Sequence, residues 1–177
     1  MQYDGINRMR VQTDALGETD SLFYDLNSNL THQIDREGNA THFEYDSLDR
    51  RTLTTDAMDF ETTAEYDKVG NLTKLIDNKN NSTIYEYDSL YRNTKEIFAD
   101  NTDKIYSYDG VGNMLSRQDN NDDITAYTYD PIYRLTGRDY PDTNDDIFAY
   151  DDGRRMISAT NNNATIAYTY DQANRIK

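Results

Sequence analysis

The stretch YDKVGNLTKLID, Tyr66 to Asp77, reads as the end of one strand, a tight turn and a second strand. Upstream, Ala64 and Tyr66 are two residues apart, so they share one face of an extended chain while Asp67 points the other way. Val69-Gly70-Asn71 carries the residue types of a turn, with glycine able to take the positive φ that a tight reversal needs. Leu72 then opens a second strand of about six residues, which closes in the polar turn Asn78 to Asn81. Loops this short force antiparallel neighbours, because a parallel crossover needs a dozen or more residues.

The same arrangement recurs along the whole chain. Tyr-Asp pairs stand at Tyr3-Asp4, Tyr24-Asp25, Tyr45-Asp46, Tyr66-Asp67, Tyr87-Asp88, Tyr108-Asp109, Tyr129-Asp130, Tyr150-Asp151 and Tyr170-Asp171. Successive tyrosines are 21 residues apart until Tyr150, and the last interval is 20. Aligning Asp152–Ser158 with Gly110–Ser116 keeps the first half of that short repeat in register, which places the missing residue in the polar turn around 161–163. A fixed period of this kind sets the architecture before local propensity is weighed. The expectation is an all-β chain of tandem 21-residue β-hairpin repeats forming one long, twisted, coiling antiparallel sheet, a partial β-spiral or shell. Residues 1–177 are read as a single repeat array of about eight repeats that starts and ends mid-repeat.

Composition alone argues for something else. Mean hydropathy is -0.99 and the formal charge is -15. Leu, Ile, Val and Phe make up about a sixth of the chain, a level that usually accompanies disorder. The repeat reverses that reading, since each unit can bury its apolar side against the next. The 16 tyrosines are then expected to supply the core that aliphatic residues do not.

With no cysteine there is neither a disulfide framework nor thiolate chemistry. The start MQYDGINRMR has no apolar h-region, and no apolar run reaches the roughly 18 residues of a span, so neither a signal peptide nor membrane insertion is expected. The acidic surface disfavours nucleic acid, whose phosphates it would repel.

The segments YDKVGNLTKLID and YDGVGNML (Tyr108 to Leu115) resemble the RHS/YD repeat, whose pattern is YDxxGRL or YDxxGNL. The resemblance spans essentially the whole chain. It implies kinship with Rhs polymorphic toxins, the C component of insecticidal toxin complexes, wall-associated toxins and teneurins. It also implies a hairpin ribbon that spirals into a shell, a secreted or cell-surface location, and an encapsulated toxin cargo in the bacterial members. Asp49, Tyr91, Tyr133 and Arg154 replace the glycine of the pattern, so those turns must take another geometry or accept strain. No plug, sealing segment, toxin-like tail or self-cleavage motif is recognisable.

No catalytic residue and no cofactor is expected. A motif repeated nine times offers nine similar surroundings, whereas acid–base catalysis needs carboxylates whose surroundings differ. The repeat Asp is instead expected to accept hydrogen bonds from the turn that follows. Two turns place oxygens at alternate positions as calcium loops do: Asp119, Asn121 and Asp123, and Asp142, Asn144 and Asp146. Neither continues into the glycine and distal glutamate of an EF-hand, and a solvated acidic turn is the plainer reading. His32 and His42 lack two further ligands for zinc.

The leading expectation is therefore a structural segment of a shell or scaffold, not an enzyme. Its partners would be copies of itself, through open sheet edges, or the remainder of a larger shell. The rival is an adhesive or carbohydrate-binding module that uses the tyrosine-rich surface.

Overall fold

The computed structural model describes residues 1–142 and 144–177. It contains strands and turns with no helix among the described residues. The strands that lead into each Tyr-Asp pair are β1 (Gln2–Tyr3), β3 (Thr19–Tyr24), β5 (Ala40–Tyr45), β7 (Glu61–Tyr66), β9 (Ser82–Tyr87), β11 (Asp103–Tyr108), β13 (Ile124–Tyr129), β15 (Asp146–Tyr150) and β17 (Thr165–Ala167). Between them run β2 (Met9–Thr13), β4 (Leu30–Ile34), β6 (Arg51–Thr55), β8 (Leu72–Ile76), β10 (Asn93–Ile97), β12 (Met114–Gln118), β14 (Leu135–Asp139) and β16 (Met156–Thr160). All belong to one 17-stranded antiparallel sheet in which consecutive strands pair. The chain divides into two compact units, Met1–Tyr85 and Glu86–Lys177.

Outside the polar turns that follow β14 and β16, the two turns of a repeat share one geometry. In the first, Asp25 N–H donates to Asn29 O and Ser28 N–H to Asp25 O; in the second, Asp35 N–H donates to Asn39 O and Gly38 N–H to Asp35 O. This is a three-residue hairpin loop whose last residue is left-handed. The left-handed position falls on Gly17, Gly38, Gly70 and Gly112, but also on Asp49 (φ 59°), Tyr91 (62°), Tyr133 (66°) and Arg154 (66°). Turns without glycine therefore keep the common geometry and accept the left-handed backbone.

β1, β3, β5, β7, β11, β13 and β15 each meet a β-bulge just before the turn. Phe23 pairs with His32 and Tyr24 with Leu30, so Thr31 is the extra residue. Its hydroxyl donates to Phe23 O, and Thr52, Thr73 and Thr94 make the equivalent bond to Glu44, Glu65 and Glu86. Threonine at the bulge thus supplies a donor where the ladder is interrupted.

The short repeat loses its residue at the polar turn, as its alignment indicates. Asn161 N–H reaches Ala164 O, three residues on, whereas Asp119 N–H reaches Asp123 O, four residues on.

No described residue is fully buried. The tyrosines expected to form a core are half-buried instead, apart from Tyr3, Tyr91 and Tyr133, which are exposed. The physical reason is that the strands within each unit touch only their neighbours in sequence. A single layer has no second layer to pack against, so its order must come from lateral bonds between repeats.

Candidate functional surface: the tyrosine face and its clasped turns

Those lateral bonds begin at the repeat tyrosine. Its hydroxyl donates to a backbone carbonyl of the preceding repeat: Tyr24 to Met9 O, Tyr45 to Leu30 O, Tyr66 to Arg51 O, Tyr129 to Met114 O and Tyr150 to Leu135 O, at 2.8–3.0 Å. Tyr170 does the same to Met156 O at 2.7 Å. The ring lies along the sheet with its hydroxyl held, one reason tyrosine and not phenylalanine occupies the position.

The repeat aspartate staples its own turn. Asp46 Oδ1 accepts from the backbone N–H of Leu48 and Arg50, and its Oδ2 pairs with the Arg50 guanidinium. Asp4, Asp25, Asp67, Asp88, Asp109, Asp130, Asp151 and Asp171 hold their turns in the same manner. The N–H and guanidinium donors lower these carboxyls below the ordinary value of 3.8, led by the Arg8 N–H for Asp4 and by the Arg50 side chain for Asp46. The second turns use a staple the sequence reading did not assign: Asp14, Asp35, Asp56, Asp77 and Asp119 each accept from the two matching N–H groups.

A further pattern runs at twice the repeat. The residue four after the aspartate is Arg8, Arg50, Arg92 and Arg134 at intervals of 42, with Asn29, Asn71 and Asn113 between them. The arginines reach forward. Arg8, Arg50, Arg92 and Arg134 donate Nη1 to the carbonyls of Asp25, Asp67, Asp109 and Asp151 in the next turn, at 2.7–3.2 Å. Their guanidinium carbons sit 4.5–4.8 Å from the ring centres of Tyr24, Tyr66, Tyr108 and Tyr150. The asparagines are too short for this. The Asn71 and Asn113 side chains bond their own aspartate's Oδ2 within the turn; Asn29 does so too and also donates to the Asp49 side chain of the next turn, without reaching the next aspartate carbonyl or tyrosine ring. Hairpins are therefore clasped in pairs as far as Arg134, where the alternation ends: Arg155, in the very next repeat, lies over the Tyr170 ring and donates to Asn174 Oδ1. The signal lay open in the sequence as an Arg/Asn alternation, hidden beneath the stronger 21-residue period.

Five of the six calcium candidates, Asp119, Asp123, Asp142, Asn144 and Asp146, line one hollow of about 450 Å³, and Asn121 does not. Thr143, within the second turn, lies outside the described residues. The oxygens are already engaged: Asp119 Oδ1 by its turn, Asp142 Oδ1 by Asn144 N–H, and Asp146 Oδ2 by the Tyr140 hydroxyl and Arg138. Among the described residues no group of three or more acidic or histidine side chains is placed to hold a metal.

His32 and His42 face each other across β4 and β5. Their ring centres are 5.2 Å apart, with Phe23 stacked 4.0 Å from His32 on the other side. Burial lowers the His32 pKa, helped by the charges of His42 and Arg10.

On the tyrosine face of Glu86–Lys177 a groove of about 600 Å³ is lined by Met114, Arg117, Thr125, Tyr127, Tyr129, Leu135, Arg138 and Tyr140. The groove on that face of Met1–Tyr85, lined by Arg51, Ala64, Tyr66, Leu72 and neighbours, holds about 140 Å³.

The RHS repeat family pattern matches residues 24–57, the stretch holding two of the stapled Tyr-Asp turns. The chain carries the RHS repeat. Solved structures show a likeness in fold over most of the chain. The crystal structure of TcdB2-TccC3-Cdc42 superposes with a TM-score of 0.77 at 19% identity. A Tc holotoxin pore of Photorhabdus luminescens gives 0.76 at 19%, and TcdB2-TccC3 gives 0.74 at 20%. Each match covers 90% of this chain and 10% of the other, so the chain spans about a tenth of the length of the proteins whose fold it shares. No curated protein sequence matches it.

Proposed function

We propose that this RHS-repeat chain is a structural segment, a stretch of wall in a larger shell or scaffold, with residues 1–177 acting as one array. The observation that carries this reading is the uniformity of the bonds. The Asp staple and the tyrosine-to-carbonyl bond recur from repeat to repeat, and the arginine clasp recurs at every second repeat from Arg8 to Arg134. An array of equivalent units spreads its chemistry evenly, which suits a wall and not a catalytic centre.

In its finer form the wall encloses a toxin domain outside the cell or at its surface. The fold likeness to TcdB2-TccC3 toxin structures supports that form. The partners are then the rest of such a shell or further copies of the chain. β1 is paired through β2 and β17 through β16, and the outer edges of these strands offer N–H and C=O groups to another strand.

Sedimentation velocity over a wide concentration range tests the proposal. Association that grows with concentration, and that weakens in Ile166→Lys on the exposed β17, is expected. A species that stays monomeric throughout contradicts self-assembly as a wall.

A further inference from the structure

We infer that His32 and His42 form a two-imidazole site for a late transition-metal dication, Cu(II) above all, on the sheet face opposite the repeat tyrosines. The chain's only two histidines stand at partnered positions of β4 and β5. No other repeat has a histidine at either position: the same pairing joins Leu53 to Thr63 and Ser116 to Ala126. Phe23, directly across from His32, immediately precedes the repeat Tyr24, so this row points away from the tyrosine face.

The ring spacing fits one ion. The two ring centres are 5.2 Å apart. Two imidazoles bound side by side to one metal, at ~2 Å per nitrogen, have centres roughly 4.5–5 Å apart. Rotation about the side-chain bonds then aims both nitrogens at the ion while the strands stay in place.

The hydrogen bonds around His32 select its ligating nitrogen. The Thr31 hydroxyl gives its proton to Phe23 O at 3.2 Å, so towards His32 Nδ1, 3.5 Å away, its oxygen can only accept. That contact favours the tautomer protonated on Nδ1 and leaves the Nε2 lone pair free for a metal. His42 is exposed, so water can complete the coordination. Phe23 backs His32 at 4.0 Å, and Arg10 lies over the Phe23 ring at 5.2 Å. The Arg10 charge is thus kept from His42 by two intervening rings, while the net charge of -15 draws cations to the chain.

The donor set also chooses the metal. Structural zinc sites close with four protein ligands, and two imidazoles are too few. Cu(II) stands highest in affinity among the first-row dications and takes tetragonal positions that water can fill. Calcium prefers oxygen ligands and is not expected to compete.

Replacing His32 by Leu and His42 by Thr copies the Leu53–Thr63 pair, which the fold already carries. The intact chain is titrated with Cu(II) against glycine as competitor, and electron spin echo envelope modulation counts the imidazoles on the metal. One equivalent of Cu(II) is expected to bind at micromolar concentration with two imidazoles, and Ni(II) and Zn(II) at least about tenfold more weakly. His32→Leu or His42→Thr alone should lower Cu(II) affinity at least about tenfold and leave one imidazole. The double variant should show none, with its circular dichroism unchanged. No binding of Cu(II), undiminished binding in the double variant, a single imidazole in the parent chain, or Zn(II) bound as tightly as Cu(II) would each overturn the assignment.

Discussion

The guanidinium of Arg50 lies 4.8 Å from the centre of the Tyr66 ring, in the next repeat, while its Nη1 donates to Asp67 O at 2.7 Å. One side chain therefore bonds its own turn, the following turn and the following ring. Arg50→Ala should cost about 1–2 kcal/mol in chemical denaturation, combining a cation–π contact with a charged hydrogen bond. Arg50→Asn should cost less, since Asn71 bonds the equivalent aspartate within its turn. Equal losses in the two variants would show that the forward reach is irrelevant.

Tyr91 and Tyr133 hold left-handed backbone that glycine adopts freely. Replacing either by glycine should raise stability by about 1 kcal/mol, although glycine usually lowers it. Gly70→Ala should do the reverse. A Cβ at Gly70 meets nothing within 4 Å, so the loss is conformational and not steric. Thermal melts of the three variants check the signs.

The tyrosine hydroxyls are expected to contribute on their own account. Tyr66→Phe removes the donor to Arg51 O and keeps the ring, so a loss of about 1 kcal/mol isolates the hydroxyl. Amide exchange at the neighbouring strands should quicken in step.

Acid should unfold the chain in two stages. His32 has its pKa lowered from 6.5, so the folded state favours the neutral ring; that stability is complete above 6.5 and is lost as pH falls through the lowered value. The turn carboxyls Asp4, Asp46 and Asp77 are lowered from 3.8, so their contribution is complete above 3.8 and lost as pH falls below it. His32→Ser should erase the first stage, and Asp46→Asn should flatten the second. Denaturation midpoints measured from pH 7 downward report both.

The period made the sheet legible. The Tyr-Asp spacing of 21 gave the repeat unit, the antiparallel order and the turn sites, because short loops leave the chain few alternatives. The glycine substitutions were half legible. Asp49 and Tyr91 marked unusual turns, but which way each would yield depended on the surrounding bonds. The clasp was less visible, since the reach of Arg50 to Asp67 crosses between hairpins and leaves no local trace beyond the Arg/Asn alternation. The missing core was not legible at all: apolar residues at alternating positions look alike whether a second layer covers them or solvent does.

A scaffold of interchangeable, clasped hairpin pairs should survive removal of one pair. Excision of residues 46–87, which rejoins Tyr45 to Asp88 and preserves the alternation of Asn29 with Arg92, leaves the register intact. The direct measurement is cooperative unfolding of that shortened chain followed by circular dichroism. A β-sheet spectrum and a single transition, at modestly lower stability because fewer repeat interfaces remain, is the predicted result. A chain that is unfolded or only loosely collapsed after the excision would contradict the repeat-scaffold account.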